Sequence, residues 1–217
     1  NPSPYANEGK MEKDNYVAIH NHDHLSYGDA ITSTEQLILT AKAQGCPAVN
    51  LSNHGNIASL LNFAELAQKH EIKPIIGSEL YYAQEGQEKE RKSNHILVNV
   101  KDETGYKNLL KLMYWASIPV EEGGGYFARP RINEELLFEH QEGLIVSSAC
   151  VSGPLNEFIA NDDMTNALIL AERFKDNLQH FFLEIMPHTF PLQQKCNKGI
   201  VELSKLLDIP LVLSTDG

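Results

Sequence analysis

The sequence predicts an α/β fold in which seven short strands alternate with helices, and three observations carry that prediction. Apolar runs at 16–20, 47–52, 74–82, 96–100, 144–148, 181–186 and 210–214 have strand length rather than helix length. Helical segments separate them, the order expected of βαβ units and a parallel sheet. Polar, chemically capable residues gather where the strands end: His20 and His22, then His54, Glu79, Cys150 and Asp216. A closed barrel and an open doubly wound sheet both fit this order, and both build their sites at that edge. No internal repeat points to a solenoid.

Tyr16-Val17-Ala18-Ile19-His20 reads as a buried first strand. Ser33 is placed to cap a helix over 34–44, with Gln36 three residues on and Leu37, Ile38 and Ala41 at helical spacing; Gly45 stops it. The strand at 47–52 leads to a helix around 57–70 and the strand at 74–82. The charged stretch 84–92 is a solvated loop. A strand at 96–100, a helix over 103–116, a Gly/Pro-rich insertion from Pro119 to Arg131 and a short helix near 133–139 follow. The strand at 144–148, helices near 153–160 and 164–177, the strand at 181–186, a helix at 191–207 and the strand at 210–214 complete the series.

With 217 residues, 42% of them hydrophobic, the chain is long enough for one well-buried domain. No stretch approaches the roughly 20 apolar residues of a membrane span, so a soluble protein with no membrane partner is expected. Residues 1–15 are polar and do not begin with Met; they read as a loosely held, processed or excised extension to a domain over 16–217. Three widely spaced cysteines argue against a disulfide framework and fit a reducing cytoplasm. A net charge of −11 has the wrong sign for a stand-alone nucleic-acid binder. Bound divalent cations would offset part of it, and neighbouring domains can supply basic surface.

The densest chemistry lies between Val17 and Asp29, where His20, His22 and His24 stand with Asp23 and Asp29. Alternation along a strand puts His20 and His22 on one face about 7 Å apart, able to share a metal or straddle two. His54, in Ser52-Asn53-His54-Gly55-Asn56, follows the second strand, where Gly55 permits a tight turn. Glu79 sits at the end of a run apolar enough that a carboxylate needs a partner. His95 opens the fourth strand, Cys150 closes the fifth and Asp216 the seventh. Taken singly, these residues are equally well capping histidines, a salt-bridged carboxylate and a core cysteine. Six strand-end segments that each deliver a metal-type ligand are not explained that way.

The chain resembles the PHP (polymerase and histidinol phosphatase) domain family, in the version at the amino terminus of bacterial DNA polymerase III alpha subunits. The matching segments are His20-x-His22 with Asp29, Asn53-His54-Gly55-Asn56, Ile72-Lys73-Pro74-Ile75-Ile76-Gly77-Ser78-Glu79-Leu80-Tyr81 and Asn94-His95-Ile96-Leu97. They continue through Gly105-Tyr106-Lys107-Asn108-Leu109, Arg129-Pro130-Arg131-Ile132, Glu142-Gly143-Leu144-Ile145 and Cys150-x-Ser152-Gly153, and together run from about Tyr16 to Asp216. The resemblance implies a distorted seven-stranded (β/α) barrel that binds up to three divalent ions. It places metal ligands at His20, His22, Asp29, His54, Glu79, His95, Cys150 and Asp216. Glu79, His54 and Asp29 are also the expected catalytic residues. The family's ninth ligand, a histidine two residues after that aspartate, would lie beyond Gly217, so the domain reads as truncated there. Asn53 stands where the family usually carries Asp, which would loosen the contacts orienting His54. His24 is additional to the pattern.

A mixed His, carboxylate and Cys set suits Zn²⁺, Mn²⁺ or Fe²⁺ better than Mg²⁺. Clustered ions of this kind activate water and steady the entering and leaving oxygens at phosphorus. The function implied is metal-dependent phosphodiester hydrolysis, as 3′→5′ exonuclease proofreading on a single-stranded DNA end, within a polymerase whose other domains and proofreading subunit are partners. Two rivals share the resemblance: an inactive structural domain that stabilises the polymerase, favoured by Asn53 and the missing histidine, and a small-molecule phosphatase of the histidinol-phosphate type, opposed by the polymerase-like Arg-Pro-Arg-Ile and Cys-x-Ser-Gly segments.

Overall fold

The computed structural model of the chain describes residues 16–216, so the expected extension at 1–15 lies outside the described residues. Six strands form one curled sheet in the order β1-β2-β3-β4-β5-β6, with β1 at Ala48–Leu51, β2 at Lys73–Tyr82, β3 at Asn94–Val100, β4 at Leu144–Ser147, β5 at Phe181–Ile185 and β6 at Leu211–Leu213. Seven helices pack around it: α1 (Thr34–Ala43), α2 (Leu60–Lys69), α3 (Glu103–Ser117), α4 (Glu134–Glu139), α5 (Pro154–Ala160), α6 (Met164–Asn177) and α7 (Pro191–Leu207). Ser33 caps α1 as expected, its side chain accepting from the Gln36 N–H. The insertion carries a short 3₁₀ turn at Val120–Glu122 that the pattern did not predict.

Two expectations require correction. The sheet has six regular strands among the described residues, not seven, because 16–20 joins no backbone ladder. Three side chains and one backbone bond hold the segment and the adjoining Asn21 instead. Asn50 Oδ1 and Ser52 Oγ accept from the Asn21 N–H, Asn99 Nδ2 donates to the Ile19 carbonyl, and the Ser52 N–H donates to the Asn21 carbonyl. Nor is the sheet parallel throughout: β3 is antiparallel to both β2 and β4, while β1/β2, β4/β5 and β5/β6 are parallel. The physical reason is the charged loop at 84–92. With no crossover helix between β2 and β3, the chain turns straight back.

That reversal positions the site. Because β3 runs backwards, its first residues lie at the edge where β1, β2 and β4 end, and His95 at its start is paired directly with Tyr81 near the end of β2. The main core, including Leu80, Ile96, Val98, Leu112, Leu144, Leu183 and Ile200, lies between the sheet and α3–α7. A second cluster of Ile38, Val49, Leu51, Phe63, Ala67 and Ile72 seals α1 and α2 onto β1 and the approach to β2. Burial of this extent makes the sheet edge a rigid platform.

Candidate metal centre

All eight expected ligands meet at that edge. Glu79 is the hub, fully buried in the middle of β2. Its Oε2 lies 2.8 Å from His54 Nδ1 and 3.3 Å from both His20 Nε2 and His22 Nε2. Its Oε1 lies 3.1 Å from His95 Nδ1 and accepts from the Cys150 thiol at 3.4 Å. Asp216 Oδ1 stands 3.2 Å from His22 Nε2, and Asp29 Oδ2 stands 3.4 Å from His54 Nε2. Asp216 does not close a strand as expected. It lies beyond β6 with a left-handed φ of 47°, which turns its carboxylate back toward the histidines. His24 is exposed and outside the cluster.

Ligand atoms fall into three overlapping sets, His20/His22/Glu79/Asp216, His22/Asp29/His54 and His54/Glu79/His95, each within 4.8 Å of one another. His20 Nε2, His22 Nε2, His54 Nδ1 and Glu79 Oε2 are buried and make no aligned hydrogen bond, although they face one another at near-contact distance. Ligands held about 2.0–2.2 Å from one ion lie roughly 3–4 Å apart, so this crowding fits a shared divalent cation. In the metal-free protein the charges compensate. Burial opposes the ionised Glu79, yet the His20 charge and the closely facing nitrogens of His20, His22 and His54 hold its carboxyl well below the usual range. Burial likewise opposes His20, but Glu79 and Glu184 raise it well above the ordinary imidazole value. Burial, then the Glu79 and Asp216 charges, push the Cys150 thiol up.

The residues that aim the ligands were not foreseen. Glu184, buried in β5, accepts from His20 Nδ1 at 2.8 Å and from the hydroxyls of Ser147 and Ser214, while its own N–H donates to Ser148 Oγ. A proton fixed on Nδ1 leaves the Nε2 lone pair of His20 facing the cluster. His22 is aimed in the same way, its Nδ1 lying 3.1 Å from Ser26 Oγ. Ser26 Oγ also accepts from the His54 backbone N–H and donates to Asn53 Oδ1. Asn53 is thereby part of the network that orients His54. Its Nδ2 donates to Asp23 Oδ1 at 2.8 Å, and its Oδ1 accepts from the Asp23 N–H. Against the opposing effect of burial, hydrogen bonds from Ser59, Thr34, Leu25 and Asn53 keep Asp23 below the usual carboxylate range. One signal for Glu184 was available: a carboxylate inside Phe181-Phe182-Leu183-Glu184-Ile185 needs a buried partner, the argument already made for Glu79.

Comparison with known proteins agrees with this geometry. The DNA polymerase III subunit alpha of Treponema pallidum is 33% identical over 95% of this chain, and that of Aquifex aeolicus is 31% identical over 95%. The chain spans 18% of the length of each. Among solved structures, a protein from Bifidobacterium adolescentis described as a metal-dependent phosphoesterase superposes with a TM-score of 0.57 at 13% identity, covering 92% of this chain and 86% of its own; it shares the fold. No helix among the described residues is long and apolar enough to cross a membrane. The PHP domain profile matches residues 18–188, the segment that carries seven of the eight clustered ligands and Glu184, and the chain belongs to the PHP domain family.

Proposed function

We propose that this domain hydrolyses phosphodiester bonds at the 3′ end of single-stranded DNA, with divalent metal ions at the cluster and within a replicative polymerase. The observation that carries the reading is the convergence of four imidazoles, Glu79, Asp29 and Asp216 on one point at the sheet edge, with unpartnered nitrogens turned inward. His20, His22, Glu79 and Asp216 would hold one ion and His54, Glu79 and His95 another, with Cys150 beside the latter; the His22/Asp29/His54 set draws on the same His22 Nε2 as the first and is an alternative position for an ion, not an additional one. The donor set favours Zn²⁺, Mn²⁺ or Fe²⁺ over Mg²⁺. When bound, such ions supply an activated water and stabilise charge on the phosphoryl oxygens.

The chain's own residues divide by exposure. Glu79, enclosed on all sides, cannot meet substrate and acts by fixing four imidazoles. Asp29 has 44% of its side chain exposed, Asp216 27%, His95 17% and His54 16%, so these line the open side of the cluster, with Asp29 outermost. Asp29 takes the proton of the attacking water there, and His54 holds that carboxylate in place. The other polymerase domains, with a proofreading subunit as further partner, would deliver the DNA end and supply the basic surface that a chain of charge −11 lacks. Mn²⁺- or Zn²⁺-loaded protein should shorten 5′-labelled single-stranded DNA from its 3′ end and stop on chelation. A loaded protein that leaves the DNA intact would refute this reading.

A further inference from the structure

The clustered side chains are imidazoles, carboxylates and a thiol, and none is a permanent cation. Arg129 stands one aromatic ring away. Its guanidinium carbon lies 4.7 Å from the centre of the Tyr81 ring, and that ring is 5.9 Å from the His54 ring and 5.4 Å from the His95 ring. Tyr81 is itself fixed. Gly55 presses so closely on it that a Cβ there would meet the ring at 2.8 Å, and Tyr81 pairs with His95 across β2 and β3.

The segment that carries Arg129 is anchored at both ends. The Gly125 N–H donates to the Trp115 carbonyl, and the Ile132 N–H donates to the Tyr81 carbonyl. Buried Arg131 donates to the carbonyls of Gln87, Glu88, Glu90 and Lys92, tying the 84–92 loop to the same segment. Ala128 has φ 64°, a left-handed conformation that a non-glycine residue adopts at a cost, and the Phe127 N–H closes the turn on the Arg129 carbonyl. The guanidinium remains exposed. Among the described residues Arg173 pairs with Glu85 and Glu134, whereas Arg129 has no carboxylate partner.

A planar cation stacked on a rigid ring beside a metal cluster is pre-organised to receive an anion through two parallel N–H donors. We propose that Arg129 is an anchoring site for a backbone phosphate of the strand being hydrolysed, the one next to the phosphate held among the imidazoles. One ring of separation places it beside the reacting group, not on it. The proposal rests on the hydrolytic reading above and narrows its substrate to a polynucleotide carrying at least two phosphates.

Equilibrium binding of a fluorescein-labelled oligothymidylate to the Mn²⁺-loaded protein tests it separately from hydrolysis. Arg129→Ala should weaken binding at least about tenfold and lower the slope of log affinity against log salt by about 0.7, the contribution of one phosphate contact on a single strand. Arg129→Lys should recover part of the loss, since it restores the charge but not the planar fork. Lys205→Ala, which removes an exposed cation near the carboxyl end of α7, should bind as wild type. In turnover, Arg129→Ala should act on KM for the oligonucleotide more than on kcat. Wild-type affinity and salt slope in Arg129→Ala, an equal loss in Lys205→Ala, or no oligonucleotide binding by wild type would each overturn the proposal. Arg129-dependent binding by a protein that releases no nucleotide would support the anchor and refute the hydrolytic reading; nucleotide release indifferent to Arg129 would do the reverse.

Discussion

Replacing Glu184 by Gln changes the fewest atoms for the largest expected effect on the metal centre. The variant keeps volume and shape in β5, but one of the two carboxylate oxygens becomes an NH₂ donor. The wild-type carboxylate accepts from His20 Nδ1 at 2.8 Å and from the Ser147 and Ser214 hydroxyls, three donors in a site 2% exposed. The hydroxyls can rotate to accept from an amide. With the NH₂ at the Oε2 position, where Ser147 can accept, the amide oxygen still receives His20 Nδ1–H, but the carboxylate charge that makes the imidazole a stronger donor toward a metal is gone. Loss of such an outer carboxylate costs about 10–100-fold in metal affinity, equivalent to about 1.4–2.7 kcal/mol. Chelator competition with Mn²⁺ or Zn²⁺ should show that loss, and ¹⁵N NMR of the metal-free protein should show His20 losing its charge at lower pH than in wild type. Glu184→Ala should be worse, because it also strands buried donors at about 1–3 kcal/mol each. Wild-type affinity together with an unchanged His20 titration would refute the reasoning.

Glu79→Gln should reduce metal-loaded nucleolysis at least about tenfold, since it removes the charge that all four imidazoles face within 3.3 Å; an undiminished rate would point to a contaminating nuclease. Asn53→Asp should lower the melting temperature at neutral pH, because it sets a second carboxylate 2.8 Å from buried Asp23 in place of a donor; an equal or higher value would show that the family's usual aspartate is tolerated here. In the metal-free protein, the raised His20 contributes stability that is full below about 6.5 and lost as pH rises through its folded pKa, whereas the depressed Glu79 contributes stability that is full above about 4.5 and lost as pH falls through its own. Melting curves without metal should therefore peak between those values. Metal should reverse the upper limb, since its ligands bind deprotonated and its stabilisation grows with pH; a metal-free protein that gains stability steadily from pH 6 to 9 would contradict this.

Much of the fold was legible because it is local. Helices α1 to α7 begin and end within a few residues of their caps, and the apolar runs at 74–82, 144–148 and 181–186 are β2, β4 and β5 to within a residue. The eight candidate ligands were legible because each belongs to a short segment resembling a known family; the structure draws seven of them into the cluster and sets Cys150 against Glu79. Strand direction was not legible, although the missing helix at 84–92 carried the clue. Pairing depends on which edge is free when the chain turns back, a tertiary matter. Residues 16–20 look like a strand in sequence because they form a short apolar run of strand length. Whether they join the ladder was decided elsewhere, by Asn50, Ser52 and Asn99, whose side chains take the hydrogen bonds a neighbouring backbone would have made. The same holds for Glu184 and Asn53. Residue type and local pattern determined which groups this chain can offer to a metal. Which nitrogen each imidazole turns inward depends on hydrogen-bond partners 164 residues away for His20 and only four for His22, and only the folded sheet brings the distant ones into reach.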